Sequence, residues 1–145
     1  MEPLDLAYMK YYNALNLHNF SGAELLITTR KEHEGIVSGL PPWKLWKNLV
    51  PALTLLQRVR DHYGVPIRLY SVYRCPQYNK YVGGVTHSQH LQNRAIDFKV
   101  SGVDPREVAK NLREWQRIGC FRGGLGSYNN FTHIDTRSKT ASWGF

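Results

Sequence analysis

Leu49, Leu53, Leu56, Val59 and Tyr63 recur at spacings of three and four, which makes one apolar stripe on a helix from about Asn48 to Tyr63. Pro51 fits only the first turn of that helix, where its missing N–H costs nothing, and Gly64 followed by Pro66 ends it. A second stripe, Val108, Leu112, Trp115 and Ile118, follows an Asp104 cap with Pro105 at the first helical position and Glu107 at the third. Upstream, residues 3–17 are weakly amphipathic. Ser21-x-x-Glu24 then forms a capping box, with a Phe20–Leu25 staple across it. Residues 31–40 keep no period and read as loop.

Elsewhere the period drops to two. Ile67 to Tyr73 alternates and is rich in β-formers. Over residues 95–100, Ile96, Phe98 and Val100 fall on one face, and Ala95, Asp97 and Lys99 on the other. Residues 124–128 and 131–136 flank the turn pair Asn129-Asn130 and predict a hairpin. Helices first, then an antiparallel sheet interrupted by one later helix, is an α+β pattern. We read one domain over residues 1–145, with a helical part to about residue 64 and a sheet part from about residue 65.

Composition narrows the class. The chain has 145 residues, 42% hydrophobic and 12% aromatic, which excludes intrinsic disorder. No run approaches the ~18 apolar residues of a membrane span. The opening MEPLDLAYMKYY begins acidic and lacks a continuous apolar region, so no secretory signal is expected. Cys75 and Cys120 are too few for a disulfide framework or a thiolate metal cluster. A formal charge of +8 points either to an anionic partner, such as nucleic acid, a membrane surface or bacterial cell wall, or to Lys and Arg solvating the surface. Nucleic acid is not expected, because no basic helix or base-stacking motif accompanies the charge. The expected state is a monomer.

Three residues are candidates for a metal site: His90, Asp97 and His133. Two imidazoles and a carboxylate suit Zn²⁺ and leave one tetrahedral position for water, the arrangement of catalytic zinc. Asp97 lies on the less apolar face of its strand, and alternation puts Asp135 on the same face as His133. His-x6-Asp has no compact local geometry, unlike two histidines one helical turn apart, and His87 competes with His90 as a ligand. Gly83-Gly84 and Gly123-Gly124 precede no Lys-Ser or Lys-Thr and read as turns rather than phosphate loops. Cys75 reads as a small buried residue, and Tyr73, Tyr78 and Tyr128 as packing or groove walls. Trp43, Trp46 and Trp143 read as core or rim.

Several segments in order carry a resemblance. Ser71-Val72-Tyr73-Arg74-Cys75-Pro76-Gln77-Tyr78-Asn79, then Val82-Gly83-Gly84, then Ser88-Gln89-His90-Leu91-Gln92-Asn93-Arg94-Ala95-Ile96-Asp97 resemble peptidase family M15, the zinc D-Ala-D-Ala carboxypeptidases and phage endolysins. The hallmark is Ser-x-His-x-x-Gly-x-Ala-x-Asp. The segment Phe131-Thr132-His133-Ile134-Asp135 looks like the His-x-Asp branch, and the likeness runs from about Asn19 to Trp143-Gly144.

The resemblance implies a hedgehog/DD-peptidase-like domain with zinc on His90, Asp97 and His133. Arg74 would hold the substrate carbonyl or carboxylate, and Ser88 would orient His90 or its turn. Some branches carry an acidic base three residues before the last histidine. That position is Asn130 here, so Asp135 is assigned as general base or as the partner that orients His133. The hallmark glycine is Asn93, and Asn is among the few residues that accept a positive φ. The expected function is a zinc peptidase cleaving peptidoglycan stem peptides, as a carboxypeptidase or a murein endopeptidase. The protein would be made in the cytoplasm and reach the wall after release, as a phage lysis enzyme does. The alternative is a non-catalytic metal-binding module of the same fold that binds cell wall or another anionic partner, since hedgehog signalling domains share the architecture.

Overall fold

A computed structural model describes residues 2–145. Helices α1 (Pro3–Asn13) and α2 (Gly22–Thr29) lead into a small hairpin, β1 (Glu32–His33) and β2 (Ile36–Val37). A 3₁₀ segment, Trp43–Leu49, runs directly into α3 (Val50–Tyr63). Then come β3 (Ile67–Ser71), α4 (Pro76–Tyr81), a 3₁₀ turn (Gln89–Gln92), β4 (Ala95–Val100), α5 (Pro105–Arg117), β5 (Gly124–Ser127), β6 (Thr132–Asp135) and β7 (Ala141–Trp143). The α+β expectation holds. The five-stranded sheet has the order β3-β4-β6-β5-β7, antiparallel throughout except for the parallel β5–β7 pair. Among the described residues no helix is long and apolar enough to cross a membrane.

Local chemistry explains the predicted elements. Pro51 sits in the first turn of α3, and Gly64 ends it with a left-handed φ of 68°. Leu49, Leu53, Leu56 and Val59 are fully buried, as their stripe requires. Asp104 caps α5 by accepting from the Arg106 amide, and Val108 and Leu112 face the core. Ile118 does not: it follows the last turn of α5 and is exposed, so the stripe ends at the partly buried Trp115. The capping box is half formed. Ser21 accepts from the Glu24 amide, while the Glu24 carboxyl is partly buried and leaves Oε1 without a partner.

One face of the sheet and the helices share one core. Ile67, Leu69, Ile96, Phe98, Val100, Leu125 and Ile134 pack there with Leu53, Leu56, Val59, Val108 and Leu112. The pairing register leaves a row across the opposite face: Ser71, Asp97, His133, Gly126 and Trp143, one residue per strand. A bulge between Leu69 and Ser71 brings Ser71 opposite Asp97. The neighbouring row is Ala95, Asp135, Gly124 and Ala141, small residues on each side of one carboxylate.

Asn93 closes the turn before β4 at φ 57°, the conformation for which glycine would otherwise be chosen. Its amide also donates to the Leu45 carbonyl (2.9 Å) and the Tyr12 hydroxyl (3.3 Å), ties that glycine cannot make. Asn93→Gly is therefore expected to lower unfolding free energy by about 1–3 kcal/mol through the unpaired buried carbonyl. Asn93→Ala should cost about 1 kcal/mol more from the left-handed backbone. Denaturant melts that rank the alanine variant above the glycine variant would contradict this account.

Candidate metal centre

The 3₁₀ turn that carries His90 is clamped to the chain leaving β3. The Arg74 amide donates to the His90 carbonyl (3.2 Å), and His90 Nδ1 lies 2.5 Å from the Val72 carbonyl oxygen. A carbonyl only accepts, so Nδ1 carries a proton and Nε2 is the ring nitrogen left to face the group. That Nε2 is buried with no hydrogen-bond partner, 3.2 Å from Asp97 Oδ2. A cation lying between these two atoms would be held by both, with Nε2 giving it a lone pair.

Asp97 is 5% exposed and sits at the centre of the group. Its Oδ1 lies 2.8 Å from His133 Nδ1, and its Oδ2 accepts from Arg74 Nη2 at 3.2 Å. Burial opposes its ionisation, but the His90 and His133 rings outweigh that cost and hold its carboxyl well below the usual range. Ligand atoms of His90, Asp97 and His133 all lie within 4.8 Å of one another, close enough to share one ion. His87 is outside this group, exposed on the rim of the cleft.

His133 has carboxylates on both sides. Nδ1 faces Asp97, and Nε2 lies 2.9 Å from Asp135 Oδ2. Burial disfavours a charged ring, but the hydrogen bonds to Asp135 and Asp97 prevail and raise its pKa. Asp135 is fully buried, and both of its oxygens are engaged. Oδ1 accepts from the Gly124 amide (2.9 Å), the Arg137 amide (3.1 Å) and Arg137 Nε (2.9 Å); Oδ2 accepts from Arg137 Nη2 (2.7 Å). Burial again opposes ionisation, and His133 and Arg137 overcome it to hold the carboxyl well below its usual range. Gly124 is required here, because a Cβ would overlap Asp135 Oδ2.

Arg74 is held at the mouth of the group. Its Nε donates to Ser71 Oγ (3.1 Å) and its Nη1 to Asn79 Oδ1 (3.3 Å), beside the bond to Asp97. Ser88 accepts from the His90 amide (3.2 Å) and so shapes the turn. Trp143 and Tyr128 form one wall: Trp143 Nε1 donates to the Tyr128 hydroxyl (2.8 Å), and the Trp143 ring lies 5.3 Å from that of His133. Both fit because Gly126 beneath them has no side chain. Cys75 caps α4 rather than filling the core, accepting from the Tyr78 amide at 3.4 Å.

Ser71, Asn79, Gly124, Gly126 and Arg137 were missed as contributors to the site. The pairing of Gly124 with Asp135 was legible in principle, since the Asn129-Asn130 turn fixes the hairpin register. Arg137 has no comparable signal, because its role depends on the chain turning back after β6.

The donor set fits a divalent metal. It supplies a lone-pair nitrogen, an ionised carboxylate and a second imidazole whose far nitrogen is held by a carboxylate, as metal-bound histidines usually are. A protein-family model described as Peptidase M15 matches residues 18–135. No curated protein matches the sequence.

In the metal-free protein His133 keeps its proton to higher pH than an ordinary imidazole, and an ion must displace that proton. Zinc affinity should therefore fall as pH is lowered through the neutral range, with about one proton released per zinc bound. Calorimetry in buffers of different ionisation enthalpy reads that proton, and pH-independent uptake would refute it. Gly124→Ala should displace the Asp135 carboxylate and weaken zinc binding by about 10–100-fold in chelator competition.

Proposed function

The chain belongs to peptidase family M15, and we propose that it is a zinc-dependent peptidase that cleaves peptidoglycan stem peptides. Membership implies a metallopeptidase. The observation that carries the reading is the buried His90–Asp97–His133 group, with its unpartnered Nε2, at the base of a cleft of about 410 Å³. When bound, zinc supplies Lewis acidity, polarising a carbonyl and making water a nucleophile near neutral pH.

The chain's own residues have distinct tasks in this reading. His90, Asp97 and His133 hold the ion, the first two with orientations fixed by Val72 and Arg74. Arg74 faces the cleft with its guanidinium fixed at three points, ready to hold the substrate carbonyl and the oxyanion that develops on it. We assign Asp135 as a positioning residue. Its oxygens are enclosed and occupied, so it acts through His133 by setting the ring and holding its Nε2 proton. The positive surplus concentrates the enzyme on an anionic wall, where a phage-type lysis enzyme would work.

One observation favours the second reading, a non-catalytic metal-binding module. Asp97 is the one carboxylate lining the cleft among the described residues, and Asn130, which lines the groove beside it, cannot take a proton at neutral pH.

A muropeptide digest followed by mass spectrometry separates the two. Zinc-loaded protein should release fragments that identify the bond, D-Ala-D-Ala or another such as L-Ala–D-Glu, and a chelator or His90→Ala should abolish the products. Intact muropeptides beside stoichiometric bound zinc would favour the non-catalytic module. Asp135→Ala should lose activity at limiting zinc and regain it at saturating zinc; no recovery would return Asp135 to the role of base.

A further inference from the structure

A second groove of about 400 Å³ opens from the same centre. It shares Arg74, Asp97 and Phe131 with the metal-side cleft, so the two are lobes that meet at the ion-binding group. Four aromatic residues, Tyr70, Tyr73, Tyr78 and Phe131, line it, and its further lining includes Lys31. Lys31 lies in the stretch that reads as loop from sequence, but the fold makes it the base of the β1–β2 hairpin. Its carbonyl accepts from the Ser38 amide, and Ser38 Oγ is tied to the Tyr73 carbonyl and the Cys75 amide. The hairpin is anchored at its tip as well, by the Tyr81 hydroxyl on Glu34. Lys31 is thus positioned by the fold.

The charge at this position is uncompensated. Lys31 Nζ donates to the Tyr70 carbonyl and has no carboxylate within ion-pair distance among the described residues. An ammonium has three donors, so two stay free. Partial burial, together with Arg68 and Arg74 nearby, lowers its pKa despite the attraction of Asp97, so an added anion would relieve an existing repulsion. Three of the five N–H donors of Arg74 are engaged within the fold, and the peptidase reading commits the others to the substrate carbonyl, so Lys31 is the cation left for a second anionic group.

We propose that this lobe is a subsite for a free carboxylate of the substrate, at a distance from the scissile bond, and that Lys31 is its anchor. The ligand class is a peptide segment bearing an unamidated carboxyl group, with aliphatic or peptide atoms lying along Tyr70, Tyr73 and Phe131. The assignment rests on the peptidase reading for the identity of the substrate. The residue itself is a specificity determinant and takes no part in bond breaking.

The test uses zinc-loaded protein and stem-peptide muropeptides in which each free carboxyl is amidated in turn. With the wild-type chain, one amidation should raise KM about tenfold with kcat little changed. Lys31→Met should raise KM for the unamidated peptide by a similar factor and lose the discrimination between the pair, with zinc content unaltered. Lys31→Arg should restore the discrimination. A methionine variant that still discriminates, or amidations that never change KM, would overturn the proposal. If the zinc-loaded protein leaves every peptide intact, the peptidase reading falls. The same pairs then report equilibrium binding by calorimetry, where an unchanged Kd on amidation and on Lys31→Met overturns the subsite too.

Discussion

Everything at the centre of this molecule turns on the cost of burying Asp97. A carboxylate with 5% of its surface exposed is tolerated only when its charge is answered. Arg74 and His133 answer it through hydrogen bonds, and the His90 ring beside it adds to the stabilisation. A divalent cation shared by the three residues would answer that charge at closer range. The electrostatics of the fold therefore suit a cation at this point, and His133 holds its proton to higher pH than an ordinary imidazole.

The sheet makes this arrangement rigid. Side chains of one cross-strand row are held by ladders on both sides, so Asp97 and His133 face each other in register on adjacent strands. Support then radiates along the row: Ser71 steadies Arg74, and Gly126 makes room for Trp143 and Tyr128. One row away, Gly124 and Ala95 leave space for Asp135 and the Arg137 fork. Small residues beside large charged ones are how the sheet keeps a polar cluster on one face while Ile96, Phe98 and Ile134 fill the core on the other. The residues flanking the β1–β2 hairpin and α4 add the second lobe, which gives the face carrying His90, Asp97 and His133 a cleft with two directions.

Legibility followed the range of the interactions. Helices α3 and α5 were readable because caps, prolines and an i, i+3, i+4 stripe are all local, and β4 because alternation is local too. The stripe of α5 overran at Ile118, where apolar spacing continued after the helix had stopped. Three elements left little trace. The β1–β2 hairpin contains Glu32 and His33 and is held by its neighbours, α4 is six residues capped by a cysteine, and β7 is three residues whose pairing with β5 is parallel. Short elements of that kind owe their existence to tertiary contacts rather than to propensity.

By itself, the sequence determined the residue types that chemistry needs and the faces they occupy. Asp97 stands opposite an apolar strand face, and Asp135 in phase with His133. It also determined that Asn93 could replace a glycine, since that depends on one residue's backbone. Tertiary structure alone decided that His90 rather than His87 turns inward, that Asp135 is enclosed behind His133, and that Lys31 reaches a groove. The reason is strand order. Pairing β4 with β6 brings together residues 36 positions apart, and no local pattern encodes such a juxtaposition.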